Sequence, residues 1–296
     1  SLALPAGELP FSLELAREHN APVVYLINGT ERMRVTEVHL TDNTLSVRMP
    51  GFENMLTAAL KDGALSGEVL MVKSGAIVQH IPFTARHGAD WRFFATPAAA
   101  NANIAGRWAT RFTEDDGHTS IAVGEFQQVG STVIGTFLTP TGDHRFLAGE
   151  MRGNGLFLSV FDGGHAFLYH AQLGADGELS GDYWSGLAHH EKWRARRDEN
   201  ASLGSSEAAT QMKSAAGSLS FSFPDLDGRL VSLSDAAFRG QVVIVVLAGS
   251  WCPNCHDEAS FLADFYRRNR ARGLQVVSLM FEQFGNFEQA VAATHR

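Results

Sequence analysis

Both cysteines of this 296-residue chain fall in one five-residue run, Trp251-Cys252-Pro253-Asn254-Cys255. The run joins two stretches of different periodicity, and that junction constrains the fold more than any other feature. Before it, Gln241-Val-Val-Ile-Val-Val-Leu-Ala248 is a continuous apolar run rich in β-branched residues, as a strand buried on both faces requires. Gly249-Ser250 breaks the run. From Asn254 to Arg272 the pattern is helical. Ala259, Phe261, Leu262, Phe265 and Tyr266 form an apolar stripe, with Asp264, Arg267, Arg268 and Arg270 outside it. Gly273 supplies a stop after a basic last turn. Leu274-Gln-Val-Val-Ser-Leu-Met-Phe281 reads as a second buried strand, and Asn286 as the cap of a helix over 287–294. Strand, helix, parallel strand, helix is a βαβα unit with the thiols at the carboxyl end of its first strand.

The spacing of the thiols sets their chemistry. Residues i and i+3 are neighbours on a helix surface, so this pair can close a small disulfide ring. The unpaired N–H groups and macrodipole of a helix N-terminus favour an anion. That predicts Cys252 as the attacking thiolate, since thiols in such motifs have pKa values of roughly 3.5 to 7.5. Cys255, deeper in the helix, then resolves the mixed disulfide. Structural zinc needs four ligands, and Cys252, Cys255 and His256 give three at most. A permanently closed structural disulfide would tie only a short loop.

The surrounding residues resemble the thioredoxin-like family in its TlpA/ResA-type branch. The segments that carry the resemblance are Phe223-Pro-Asp-Leu-Asp-Gly-Arg-Leu-Val-Ser-Leu-Ser234, Phe238-Arg-Gly-Gln-Val-Val243 and Ser250-Trp-Cys-Pro-Asn-Cys-His-Asp-Glu258. The resemblance runs from about residue 218 to the end. It implies a thioredoxin-like α/β domain whose reagent is the Cys252–Cys255 disulfide, with no bound cofactor and no metal. Trp251, Pro253 and Asn254 are the immediate neighbours of the pair. Glu258 matches an acidic residue of that branch, which implies a proton relay to the buried thiol; the alternative is an exposed first-turn acid that stabilises the helix dipole. The implied partners are protein thiols and disulfides and an upstream electron donor or acceptor.

The chain departs from the family pattern in three places, and from that of a competing reading, a peroxiredoxin, in a fourth. Val246 stands where many thioredoxins bury an aspartate, and Ser260 stands where members often kink the helix with proline, so a straighter helix is expected. Gly249 stands where a peroxiredoxin would carry threonine. The last proline is Pro253, so the loop with a cis-proline that the resemblance implies is absent, and the domain reads as incomplete. An exposed apolar edge along Val242–Ala248 and little reductase activity are then expected.

Length and charge bound the remainder. A chain of 296 residues predicts two or three domains, and 45% apolar residues allow a sizeable core. A net charge of −8 argues against nucleic acid or an anionic membrane as partner. No apolar run has the length of a transmembrane helix. Sparse cysteine usage suits an oxidising compartment, so a periplasmic or other extracytoplasmic location is expected.

Residues 1–197 have a different style. Short alternating runs separated by turn signals predict antiparallel all-β structure. Thr44–Met49 follows Asp42-Asn43, Leu65–Val72 follows Asp62-Gly63, and Gly155–Phe161 follows Gly153-Asn154. Segments 161–165 and 174–178 are further hairpin turns. Residues 103–197 have room for about eight strands, enough for a meander closing into a barrel. Gly106-Arg-Trp108 resembles the G-x-W opening of lipocalin- and avidin-like barrels. Lys61-Asp-Gly-Ala-Leu-Ser-Gly-Glu-Val69 echoes Ala175-Asp-Gly-Glu-Leu-Ser-Gly-Asp-Tyr183, and Leu45-Ser-Val47 echoes Leu158-Ser-Val160, which suggests two related β units. The expected organisation is an all-β unit at 1–100, a barrel-like unit at 101–197, a linker at 198–218 with a transient helix at 207–216, and the thioredoxin-like part at 219–296.

No second site stands out. Trp91, Trp108, Trp184 and Trp193 read as barrel packing rather than a ligand cage. His189-His190-Glu191 makes a poor joint metal site, because adjacent strand residues face opposite ways. Two function classes remain: a thiol–disulfide oxidoreductase whose β region docks partners, and a ligand- or partner-binding β protein with an accessory redox segment. A filled barrel favours the first, an open apolar cavity the second.

Overall fold

The computed structural model describes residues 1–50, 53–74, 77–204 and 218–295. The chain divides into two compact units, Ser1–Gly204 and Ser205–Arg296. The helix expected at 207–216 lies outside the described residues.

Among the described residues every pairing of named strands in the first unit is antiparallel, and one isolated parallel bridge joins Ala100 to Gly153. Its second half, from strand Gly106–Glu114 to strand His189–Arg197, is one nine-stranded sheet. The two-residue strand Gly142–Asp143 hangs from its edge, and the other eight strands close into a barrel where Thr119–Val129 pairs with Thr132–Thr139. The hairpin turns expected at 161–165 and 174–178 join the strands of this barrel, and Gly177 takes the left-handed conformation its turn needs, at φ 77°. Alternation along each strand sends Trp108, Phe112, Phe126, Phe137, Tyr169, Tyr183 and Trp193 into the interior. Tyr169 stacks on Tyr183 with centroids 4.6 Å apart, and Phe137 on Tyr169 at 5.1 Å. Burying each such side chain contributes about 1.5–3 kcal/mol. The lumen is therefore a packed aromatic core.

Residues 1–86 form two further sheets, of seven and three strands. Neither closes among the described residues. Among the described residues the first unit thus holds one barrel and two open sheets. Leu2, Leu9, Leu26, Leu45, Leu56, Val69 and Phe83 build their core, joined by Phe161, Ala166 and Leu168 from the outer face of the barrel. Asn28 donates to the Phe161 carbonyl at 2.8 Å, and Asn54 to that of Gly163 at 2.6 Å, so the polar groups buried at this seam are satisfied.

The second unit has strands Val242–Ala248 and Leu274–Met280, paired parallel and in register from Val242 opposite Leu274 to Ala248 opposite Met280. Between them runs helix Pro253–Asn269, which tightens into a 3-10 turn at Arg270–Arg272 and stops at Gly273, φ 89°. A last helix, Phe287–Thr294, starts where the Asn286 side chain accepts from the Gln289 N–H at 2.9 Å. A short hairpin, Ser222–Pro224 with Leu230–Ser232, precedes the first parallel strand.

Two expectations need correction. The strands are not buried on both faces: Leu274 is buried, but Val242 is 68% and Leu247 76% exposed. Among the described residues Val242–Ala248 pairs only with Leu274–Met280, so no neighbouring strand covers its other edge. In the helix, Leu262, Phe265 and Tyr266 are half-buried, whereas Ala259 and Phe261 are exposed. The buried stripe is narrower than the sequence pattern. Among the described residues no helix is long and apolar enough to cross a membrane.

Candidate active site

The chain leaves the first parallel strand at Gly249, which is buried. A Cβ there would run into the Trp251 indole and lie 3.0 Å from the Phe281 carbonyl oxygen, so only glycine lets the loop close this tightly. Cys252 is the N-cap of the helix and Pro253 its first residue, where a missing N–H costs nothing. Cys252 Sγ accepts from the Cys255 N–H at 3.2 Å. The two cysteines form a disulfide with Cα atoms 5.2 Å apart. Both are half-buried, at the carboxyl end of the strand. The sulfur at the helix N-terminus is thus Cys252, and the one inside the first turn is Cys255.

The neighbours divide by role. The Trp251 indole N–H donates to the Phe281 carbonyl at 2.8 Å, and the ring is 44% exposed beside the disulfide. Pro253 is buried and Asn254 half-buried in the first turn. Ser260 Oγ donates to the His256 carbonyl at 3.1 Å, and the helix runs unbroken through this position. Val246 is half-buried within its strand. Glu258 is exposed, and its side chain makes no hydrogen bond or ion pair among the described residues. It lies in the second turn, so the alternative reading as a first-turn acid does not hold.

A different carboxylate is bonded to the cysteine loop. Glu282 Oε1 accepts from the Ser250 N–H at 2.7 Å, and its Oε2 accepts from Ser250 Oγ at 2.7 Å. His256 Nε2 donates to the Ser250 carbonyl at 2.7 Å, which fixes a proton on that nitrogen. The sequence reading missed Glu282. It lies in the loop after the second strand, and only the parallel pairing brings that loop beside the first.

The β unit carries shifted acids and bases in structural roles. Burial pushes the His144 imidazole down to about 3, and its Nδ1 is hydrogen-bonded to the Tyr169 hydroxyl. Burial raises Tyr169 and Tyr183 above the ordinary phenol value. Trp108 and Trp193 fill the barrel, Trp184 packs against the outer core, and Trp91 is exposed. His189 Nε2 pairs with Glu191 at 2.6 Å, and His190 faces the other way, toward Asp182 at 2.9 Å.

Comparison with known proteins bears on the second unit. Residues 216–294 match the AhpC/TSA family. They form a thioredoxin-like segment. Two thiol-disulfide oxidoreductases named ResA, from Bacillus thuringiensis subsp. konkukian (strain 97-27) and Bacillus cereus (strain ATCC 10987 / NRS 248), are each 29% identical over 59 residues, or 20% of this chain. The match takes in 33% of either relative, so the chain spans about a third of the length of the curated relatives it matches. A solved protein of unknown function from the DUF3598 family of Nostoc punctiforme PCC 73102 aligns over 62% of this chain and 86% of its own, with 11% identity and a TM-score of 0.23. So low a score carries no argument. In its thioredoxin-like segment the chain is similar to the TlpA/ResA-type thiol-disulfide oxidoreductases.

Proposed function

We propose that the protein is a thiol–disulfide oxidoreductase whose reagent is the Cys252–Cys255 pair. The observation that carries this reading is the disulfide closed across the first turn of a helix that follows a parallel strand. In the reducing direction the Cys252 thiolate attacks one sulfur of a substrate disulfide. The second substrate sulfur leaves as a thiolate and takes up a proton. Cys255, as thiolate, then attacks Cys252 Sγ, which forms the intramolecular disulfide and releases the substrate as a dithiol. An upstream donor returns two electrons; an acceptor would run the cycle the other way. The substrates are protein thiols and disulfides. Trp251 offers an exposed apolar face beside the sulfur. Glu258 shares the helix face of Cys255 at i+3 and handles its proton through water.

The β unit acts as a docking module in this reading. Its barrel is filled by aromatic side chains, which supports docking over ligand storage. The echoes fall at matching places, residues 45–47 and 158–160 each on a strand that lies one strand before the like turns at 62–63 and 176–177, and this supports a repeat within the unit. Two cysteines that form one disulfide support an extracytoplasmic location.

The test is Cys255→Ala expressed in cells and analysed on non-reducing gels. The variant should accumulate mixed disulfides through Cys252 that vanish on reduction and are absent from Cys252→Ala. If Cys255→Ala traps no partner while folded, the reading is wrong.

A further inference from the structure

We propose that Glu282 is a positioning residue of the Cys252–Cys255 site, holding the loop that keeps the two sulfurs together. The inference rests on the redox reading above and adds a residue to it. Both carboxylate oxygens of Glu282 are committed to one partner, Ser250: Oε1 to its N–H and Oε2 to its hydroxyl, each at 2.7 Å. Bonds to an ionised acceptor are roughly twice as strong as neutral ones. The remaining polar group of Ser250, its carbonyl, accepts from His256 Nε2. Ser250 is therefore tied on one side to the loop after the second strand and on the other to the first turn of the helix. The Trp251 indole adds a third tie, to the Phe281 carbonyl, and the Cys252 N–H bonds the Gly249 carbonyl at 3.1 Å. Residues 249–252 have little freedom left.

That matters for an intramolecular disulfide. Closing the ring depends on the effective concentration of one sulfur beside the other, and a held geometry raises it. The ties are present with the disulfide closed, so they favour the oxidised form. Releasing the loop lowers the effective concentration and moves the equilibrium toward the dithiol. The carboxylate also lies beside the loop that carries the thiolate of the reduced form. Removing its charge favours that form, in the same direction.

The test equilibrates the full chain with reduced and oxidised glutathione. Oxidised glutathione takes two electrons from the dithiol and leaves the protein disulfide and two reduced glutathione molecules. Alkylation and mass measurement read the fraction of each form. Glu282→Ala should shift the constant at least about tenfold toward the dithiol, about 30 mV in potential. Glu282→Gln keeps one oxygen acceptor and should shift it about threefold, as loss of one bond implies. Ser250→Ala also loses one bond but keeps the backbone tie and the carboxylate charge, and should shift it by about threefold, no more than Glu282→Gln. Asp264→Asn, which breaks an exposed ion pair with Arg267, should shift nothing. A merely structural Glu282 would lower the melting temperature and leave the constant alone. If Glu282→Ala lies within twofold of the wild type, the proposal is overturned. If Glu282→Ala does not fold, Glu282→Gln and Ser250→Ala decide the matter by the same criterion. The glutathione equilibrium needs no physiological substrate. A shift in it alongside failed trapping by Cys255→Ala would sink the function and keep the positioning role; the opposite pair of results would do the reverse.

Discussion

Replacing Asp162 by asparagine tests the clasp at one end of the barrel. The carboxylate is 2% exposed and accepts from the Gly164 N–H at 3.0 Å, the His165 N–H at 2.6 Å and Arg145 Nε at 2.8 Å. His165 Nδ1 lies 3.2 Å away. Burial by itself pushes this carboxyl up. The His165 side chain, the Arg145 guanidinium and the His165 backbone bond outweigh burial and bring the group from 3.8 down to about 2. At 1.36 kcal/mol per unit, the charged form contributes about 2 kcal/mol to stability. Because the folded value lies below the unfolded one, the contribution is complete above 3.8 and is lost as the pH falls through about 2. Arg145, 7% exposed, also loses a buried carboxylate, and breaking such a pair costs about 3–5 kcal/mol. Urea unfolding of Asp162→Asn followed by near-ultraviolet circular dichroism should show a loss of about 2–4 kcal/mol at pH 7. The gap between variant and wild type should narrow steadily below pH 4. Equal stability at pH 7, or a gap that does not change with pH, would refute the argument.

Other outcomes follow from the same structure. The His144 ring should show no titration by NMR between pH 8 and pH 5, because burial holds it at about 3, and stability should rise with pH between about 3 and 6.5; an ordinary midpoint near 6.5 would contradict the buried placement. Gly181→Ala should cost more than about 3 kcal/mol in chemical denaturation, because a Cβ there would run into the His170 carbonyl oxygen and Ala171 Cα across the barrel strand; a loss below about 1 kcal/mol would mean the strands can separate freely. Trp193→Ala, which removes one of the two tryptophans buried in the lumen, should cost about 3–5 kcal/mol by the same measurement.

What the sequence reveals depends on how local the cause is. The cysteine site is legible because strand, turn, cap and helix follow one another within about 40 residues and each has its own periodicity. The barrel hairpins are legible for the same reason: Gly153-Asn154 and Asp176-Gly177 announce their turns. The closure of the barrel is not, since the pairing of Thr119–Val129 with Thr132–Thr139 looks like any other hairpin until the last strand returns to Gly106–Glu114. Glu282 is silent in the sequence because its partner, Ser250, is 32 positions away. Glu258 shows the converse: its place after Cys255 is plain in the sequence, but periodicity does not say what faces it. Asp162 reads as an ordinary turn acid, and its partner Arg145 is brought up by the fold from another strand connection.

Barrel closure has a consequence for how the two units should breathe. In the barrel every one of the eight strands is hydrogen-bonded on both sides, so no outermost strand exists from which the sheet can unzip. Its interior amides should exchange with deuterium only through a cooperative opening, and with nearly one rate. Among the described residues no further strand pairs with Val242–Ala248 or Leu274–Met280, and a row of amides left open in this way exchanges by local fraying. Exchange mass spectrometry on the intact chain should therefore resolve a slow, uniform barrel from a fast, graded region around the disulfide. The motion that thiol exchange needs would then be available without any opening of the barrel.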